Sequence, residues 1–261
     1  MLAEPRIKYF GWSSFMIESP GGNLLFDPFF RKMYGAKYSD PKDFTGTKVI
    51  CLTHGHFDHY IDSVKLLKAG DAVVVSSQMV CDHLHSRYKI ARERLIPLEP
   101  YGQTRQGDFK ITAFEWRHRV VNFMRIVRAD WLRGLHFAWI NLLQVPFHSP
   151  YYGFFVEMPN GVAIMNYCEG FSNAMDAGEV RELGRRMKPD ILLAGIQLDF
   201  EEYVARGVEA LSPKTVVLFH PHEAFFEKVG LTSKPPQIFI DKIREKSPGI
   251  QIIAAAIQSY V

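Results

Sequence analysis

One short segment of the chain concentrates side chains that bind metal ions. Residues 53–59 read Thr-His-Gly-His-Phe-Asp-His, so four of these seven residues can act as metal ligands: His54, His56, Asp58 and His59. The apolar run before them, Val49–Leu52, is typical of a buried strand, in which residues two apart project to the same side. Imidazole nitrogens and a carboxylate are ligands that Zn²⁺ and neighbouring transition metals accept. Chance would give this pattern in roughly one such sequence in a thousand, so we predict a metal site.

The segment resembles the second motif of the metallo-β-lactamase superfamily, and similar motifs follow along nearly the whole chain. Leu25-Phe26-Asp27-Pro28 is similar to the first motif, whose Asp supports the metal loop. Glu115-Trp116-Arg117-His118 is similar to the third, a His at a strand end. Tyr167-Cys168-Glu169-Gly170 stands where the family has Gly-Asp-Thr, with an Asp that bridges two metals, and the run from Thr215 to His220 resembles the last motif.

This resemblance implies a ligand set for two metal ions. One ion would take His54, His56 and His118, and the other would take Asp58, His59 and His220, with Glu169 shared. The implied ions are divalent transition metals, Zn²⁺ in the first place, with Mn²⁺ or Fe²⁺ as alternatives.

The chain departs from the family pattern in two places. Glu169 replaces an Asp, and its longer side chain could bridge both ions, bind one or bind neither. The neighbouring Cys168 is either a soft ligand or a small buried apolar residue. The last motif holds two histidines, and His220 is preferred over His222 because it ends the predicted strand.

Two metals about 3.5–4 Å apart activate a water molecule and polarise a substrate oxygen. We therefore expect a metal-dependent hydrolase that uses metal-activated water on an ester, lactone or phosphodiester. Asp58 is the expected proton acceptor as well as a ligand, and Asp27 is expected to orient the His-rich loop from behind. These two carboxylates are the predicted catalytic residues.

Other residues bear on the substrate. The opening strands and the hairpin at residues 153–161 look most like those of ascorbate-phosphate lactonases and of phospholipases D acting on N-acylethanolamine phospholipids, which implies a small anionic or lipid-like substrate. Arginines cluster after the third motif, and guanidinium groups bind phosphate in a bidentate fashion: Arg117, Arg119, Arg125, Arg128 and Arg133. Strand alternation predicts that Arg117 and Arg119, which flank His118, point away from the metals unless the chain turns there. Arg125 is therefore the expected phosphate contact, with His148 and His222 as further substrate-binding candidates, unless the cluster is a solvated face.

Composition limits the alternatives. The net charge is only +3 and no basic block is present, so no nucleic-acid partner is expected. A nuclease of the tRNA-processing type is therefore the second choice among enzymes, and a non-catalytic metal-binding or interaction module is the alternative from another class. Three scattered cysteines, no leader-like start and no apolar run long enough to span a bilayer indicate a cytoplasmic protein.

The pattern of elements predicts the fold. Hairpin signals fill the first half, and helices expected at residues 177–187, 200–211 and 237–245 alternate with apolar strands in the second. We expect an α+β protein in which two sheets pack face to face with helices outside, the four-layer αββα sandwich of the superfamily. Residues 1–261 are predicted to form one domain, with a helical, apolar insertion at about residues 122–148. One helical face of that insertion indicates a core contact, a lid or a homo-oligomer interface: Leu132, Leu135, Trp139 and Leu142.

Overall fold

The computed structural model describes residues 5–34, 36, 40–119, 128, 131–228, 231 and 233–261, and this part of the chain forms two sheets flanked by helices. In the first sheet the strands lie in chain order: β1 (Arg6–Gly11), β2 (Ser14–Glu18), β3 (Asn23–Phe26), β4 (Thr47–Cys51), β5 (Val73–Ser76) and β6 (Leu95–Pro97). The second sheet also follows chain order: β7 (Gln103–Gln106), β8 (Phe109–Glu115), β9 (Tyr152–Glu157), β10 (Ala163–Asn166), β11 (Ile191–Gly195), β12 (Thr215–Phe219) and β13 (Gln251–Ala254).

The helices connect and cover these strands. They are α1 (Phe57–Tyr60), α2 (Ser63–Ala69), α3 (Gln78–Tyr88), α4 (Trp131–Leu143), α5 (Ala177–Arg186), α6 (Glu201–Leu211), α7 (Glu223–Lys228) and α8 (Pro236–Lys246). Short 3₁₀ turns occur at Lys32–Tyr34, Pro41–Phe44 and Arg92–Arg94. No helix in the described ranges is long and apolar enough to cross a membrane.

Each sheet begins antiparallel and becomes parallel. Strands β1 to β3 form an antiparallel meander, and β3 to β6 run parallel to one another. In the second sheet β7 to β10 are antiparallel and β10 to β13 are parallel. Parallel neighbours require crossover connections, and α1 to α3 and α5 to α8 lie in those connections. The loops after the parallel strands therefore meet at the carboxyl ends of both sheets.

Alternation along the strands sorts the core into layers. In β4, Val49 and Cys51 belong to the core between the sheets, whereas Ile50 packs with the helices outside the first sheet. In β12, Val217 faces the same central core and Leu218 packs with the helices outside the second sheet. Strands buried on both faces are apolar at every position. The predicted α+β, four-layer αββα arrangement is confirmed.

Helix α4 has two different faces. Ile140 and Asn141 are buried, and the half-buried His136 hydrogen-bonds through Nδ1 to the hydroxyl of Tyr34 at 2.7 Å. The opposite side carries large apolar side chains that are at least half exposed: Trp131, Leu132, Leu135, Trp139, Leu142 and Leu143. The apolar stripe read from the sequence is therefore not part of this chain's core. The rest of the predicted insertion, residues 122–127 and 129–130, lies outside the described residues.

Candidate metal centre

The His-rich loop is held by a carboxylate that follows the neighbouring strand. Because β3 and β4 are parallel and adjacent, Asp27, just after β3, lies beside Thr53, just after β4. Asp27 Oδ1 accepts a hydrogen bond from the Thr53 amide at 2.8 Å, and its Oδ2 accepts one from Thr53 Oγ1 at 2.6 Å. Asp27 has a φ of +40°, a left-handed conformation that Asp tolerates better than most side chains. The first motif therefore fixes the start of the loop.

Three histidines form a first cluster. Ligand atoms of His54, His56 and His118 lie within 4.8 Å of one another. The Thr53 hydroxyl donates its proton to Asp27, so its oxygen accepts from His54 Nδ1 at 3.0 Å. The Nε2 atom of His54 then carries the free lone pair, and this buried atom has no hydrogen-bond partner. His118 Nδ1 donates to the Arg119 carbonyl at 2.6 Å, which likewise leaves Nε2 as the ligand atom.

Two carboxylates and two histidines form a second, buried cluster. Its members are Asp58, His59, Glu169 and His222, and their ligand atoms also lie within 4.8 Å of one another. His222 Nε2 is 2.8 Å from Asp58 Oδ2 and 3.3 Å from Glu169 Oε1. His59 Nε2 is 3.4 Å from both of those carboxylates. His59 Nδ1 donates to Asp27 at 2.9 Å, which directs Nε2 into the cluster.

Glu169 lies between the two clusters. One of its oxygens, Oε1, contacts His59 and His222, and the other, Oε2, is 4.0 Å from His118 Nε2. The side chain is longer than the Asp that the superfamily motif has at this position, yet it reaches both groups of ligands.

The two clusters differ in electrostatics. Burial, reinforced by the neighbouring histidines, lowers the pKa of His54 well below its usual value, and the same effects lower that of His56 to about 3. Burial also lowers the pKa of His118. Burial alone would raise the pKa values of Asp58 and Glu169, but the histidines beside them lower both, Glu169 to about 2. The first cluster is therefore neutral and the carboxylates of the second are ionised.

This donor set fits divalent transition-metal ions. It supplies neutral imidazoles with free lone pairs, ionised carboxylates and an orphaned buried nitrogen on His54. Cys168 fits less well, because burial raises its pKa to about 11 and its Sγ lies behind the loop, 4.0 Å from Asp27 Oδ2. Both oxygens of Asp27 are used in holding Thr53 and His59. Cys168 is therefore best described as a buried thiol, and Asp27 as a positioning residue instead of the catalytic one expected from the sequence.

The preference for His220 over His222 is not supported by the structure. Alternation along β12 places residue 220 on the same side as Leu218, the side covered by helices. The loop through Pro221 then carries His222 to Asp58. Burial lowers the pKa of His220, and its backbone carbonyl accepts a hydrogen bond from Tyr9. His222 therefore lies inside the second cluster of candidate ligands, and not in the peripheral substrate-binding position expected for it.

The predicted substrate-binding residues have mixed outcomes. Arg125 lies outside the described residues. His148 is exposed, and its ring lies next to Phe147, which in turn stacks on His56 at 4.6 Å. Arg117 points outward and pairs with Glu179 on the surface. Arg119 does not point away: β8 ends at Glu115, so alternation no longer applies, and Arg119 lines the cavity beside the clusters.

A cavity with an aromatic wall opens onto the ligand clusters. Its volume is about 50 Å³, room for a few water molecules. Ligands from both clusters and Arg119 form one side, and the other side is aromatic: Trp12, Tyr34, Phe57, Phe137, Phe225 and Phe226. Sequence reasoning missed this wall, because its members are scattered from β1 to α7 and no single motif holds them.

Comparisons with known proteins agree with the fold. Residues 10–124 match the family model of the metallo-beta-lactamase superfamily. A metallo hydrolase from the archaeon Ignicoccus hospitalis has a similar solved structure, with a TM-score of 0.72, 17% identity and coverage of 98% of this chain and 97% of that one. At that identity the likeness shows the fold.

Proteins with similar sequences identify a narrower family within the superfamily. A UPF0173 metal-dependent hydrolase of Methylobacterium nodulans is 30% identical over 226 residues, which are 82% of this chain and 84% of that protein. A second such hydrolase, from Rubrobacter xylanophilus, is 33% identical over 113 residues, which are 43% of this chain. The match spans less than half the length of this relative and of two others. The chain belongs to the UPF0173 metal-dependent hydrolases of the metallo-β-lactamase superfamily.

Proposed function

We propose that this chain is a hydrolase that holds two divalent transition-metal ions, Zn²⁺ in the first place, and cleaves an ester, lactone or phosphodiester bond in a small molecule. One observation carries the proposal. Seven side chains form two adjacent clusters whose ligand atoms converge at the carboxyl ends of both sheets: His54, His56 and His118, and Asp58, His59, Glu169 and His222.

The residues around the clusters have distinct roles in this proposal. Metal ions bound there would supply Lewis acidity and a water of lowered pKa. Asp58 remains ionised at neutral pH, lines the cavity and offers an oxygen that can hold or accept a proton. Asp27 and Thr53 fix the tautomers of His54 and His59 from outside the cavity. The aromatic wall keeps bulk water from the reacting bond.

The surface supports a small-molecule substrate over a nucleic acid. Exposed cations of the described surface are often paired with carboxylates, as in Arg6–Glu18, Lys48–Asp71 and Lys110–Glu157. The positive charge in such pairs is compensated, and a net charge of only +3 gives weak attraction to a phosphate backbone. All three cysteines are free and buried, which supports the cytoplasmic location that we propose.

Metal analysis of matched variants tests the ligand assignment. We expect about two ions per chain in wild type, and loss of metal together with hydrolysis of an ester, lactone and phosphodiester panel in His56→Ala and His222→Ala. His220→Ala is the control for metal content, because the same residue type two positions away lies outside both clusters.

Other results of the metal analysis would contradict the ligand assignment or the hydrolase activity. No metal in reconstituted wild type, or full metal in His222→Ala with loss in His220→Ala, would contradict the assignment. Metal content of two with no turnover on the whole panel would favour a non-catalytic metal-binding module.

A further inference from the structure

Arg119 is a cation inside the cavity that the proposed metal clusters do not use. It follows His118 directly and lines the same cavity as Asp58, Glu169 and His222. Its backbone carbonyl orients His118, so the position of its main chain is fixed by the metal site itself. The side chain then extends along the cavity instead of into solvent.

Two contacts hold the guanidinium group in place. Its Nε donates to Gln197 Oε1 at 3.1 Å, and Gln197 is buried just after β11. Its central carbon lies 5.2 Å from the ring centroid of Phe226, a cation–π contact. Both contacts fix the direction of the planar group, and neither neutralises its charge.

The charge and the outer donors of Arg119 have no direct partner in the described part of the chain. No carboxylate there lies within 4.0 Å of the guanidinium, and neither terminal nitrogen donates a hydrogen bond to a described residue. Asp58 and Glu169 attract it from a greater distance, but both belong to the proposed metal ligands. A withdrawn cation without a counter-charge is costly to keep. The planar guanidinium group, with its parallel N–H donors, also matches the geometry of a carboxylate or phosphate, which can accept two hydrogen bonds from it.

We propose that Arg119 binds the anionic group, a carboxylate or a phosphate, of a substrate whose apolar part lies against the aromatic wall. The reacting bond would lie between this anchor and the ligand clusters. This assignment rests on the proposed hydrolase function for the identity of the site, but anion binding by Arg119 does not depend on turnover. It replaces Arg125 as the expected anion contact.

Arg117 provides a matched comparison. It is the same residue type two positions earlier, but it is exposed and paired with Glu179 on the surface. Replacing it changes the net charge of the protein by the same amount without touching the cavity. Any difference between variants at 117 and 119 therefore reports the cavity and not the overall charge.

The test measures equilibrium binding of small probes to the metal-loaded protein by calorimetry. The probes are propionate, ethylphosphonate and the neutral isostere propionamide, which the narrow cavity can admit. In Arg119→Met, whose apolar stem still packs on Phe226, affinity for the two anions should fall about tenfold or more, and affinity for propionamide should stay unchanged. Arg117→Met should bind all three probes as wild type does. The two anions distinguish a carboxylate site from a phosphate site.

Further variants and measurements distinguish a failure of the anion-binding inference from a failure of the proposed hydrolase function. Arg119→Lys keeps the positive charge but loses the planar pair of N–H donors, so this variant should retain part of the anion affinity. If either variant at 119 binds both anions as wild type does, or loses propionamide equally, the proposal is overturned. Metal content and melting temperature are measured on the same samples. A wild type that binds anions through Arg119 but holds no metal would refute the proposed function and leave this inference standing.

Discussion

At the scale of residues, a single buried carboxylate organises much of the site. Asp27 holds His59 directly and His54 through the hydroxyl of Thr53, and each contact fixes which ring nitrogen carries the proton. The sequence could predict the Asp because it belongs to a motif. It could not predict these hydrogen bonds, because Asp27 meets Thr53 and His59 only when β3 and β4 pair in one register.

Asp27→Asn should weaken metal binding by about 10- to 100-fold while the protein stays folded. The amide can still accept from the Thr53 backbone through its oxygen. Its NH₂ group would then face His59 Nδ1, so that ring must move its proton to Nε2 and lose the lone pair aimed at the cluster. Competition with a metal-binding dye measures the affinity. Asp108→Asn, at a half-buried carboxylate that accepts a hydrogen bond from Ser19 outside both clusters, is the control, and equal affinities in both variants would contradict this role of Asp27.

At the scale of elements, the strands were easier to predict than the loops that carry the ligands. Strands buried on both faces are uninterrupted apolar runs, so their positions are visible in the sequence. Helix α3 was missed because it is mostly polar, with only Val80, Cys81 and Leu84 buried. His118 and His222 each lie three residues beyond the end of their strand, where alternation no longer decides direction. The sequence therefore could not show that His222, and not His220, joins the second cluster, or that Arg119 lines the cavity.

Helix α4 also supports the metal loop. The side-chain oxygen of Asn141 accepts a hydrogen bond from the amide of Phe57, the first residue of α1, at 3.1 Å. This amide has no partner inside its own helix.

Asn141→Ala should therefore lower the free energy of unfolding by about 1–3 kcal/mol, because it leaves a buried donor unsatisfied. Denaturant titration measures the change. Leu142→Ala on the exposed side of the same helix should change stability by less than about 0.5 kcal/mol. Equal effects of the two substitutions would mean that α4 does not cap α1.

At the scale of the whole molecule, the proposed metal centre joins the two sheets. Four of its ligands follow β4 in the first sheet, and His118, Glu169 and His222 come from loops of the second. Without metal these groups still interact, and their pKa shifts make stability depend on pH. His54, His56 and His118 have lowered pKa values, so the unfolded chain takes up protons that the folded chain excludes.

Metal-free protein should consequently lose stability as the pH falls from about 6.5, the usual pKa of histidine, toward 5. His59 acts in the opposite direction: Asp58 and Asp27 outweigh its burial and raise its pKa, so its contribution is present at low pH and lost as the pH rises. In the site three histidines oppose one, and the pKa values of His83 and His220, which burial also lowers, act in the same direction as the three, so the net slope is positive. Calorimetric melting at pH 7 and pH 5 with chelator present measures it. His56→Gln should reduce the slope and His85→Gln, outside both clusters, should not; identical slopes would contradict the assignment.

The order of strands has a consequence for how the protein is made. The first sheet ends at Pro97 and the second at Ala254, so the ribosome must add a further 157 residues, 254 minus 97, before the second sheet is complete. At about 5–20 residues per second this takes roughly 10–30 s. During that time the inner face of the first sheet has no second sheet to cover it, and nascent chains are then exposed to chaperones and to aggregation. The histidine loop is already present but lacks its partners from the second sheet. The full set of seven proposed ligands therefore exists only after His222 has been synthesised.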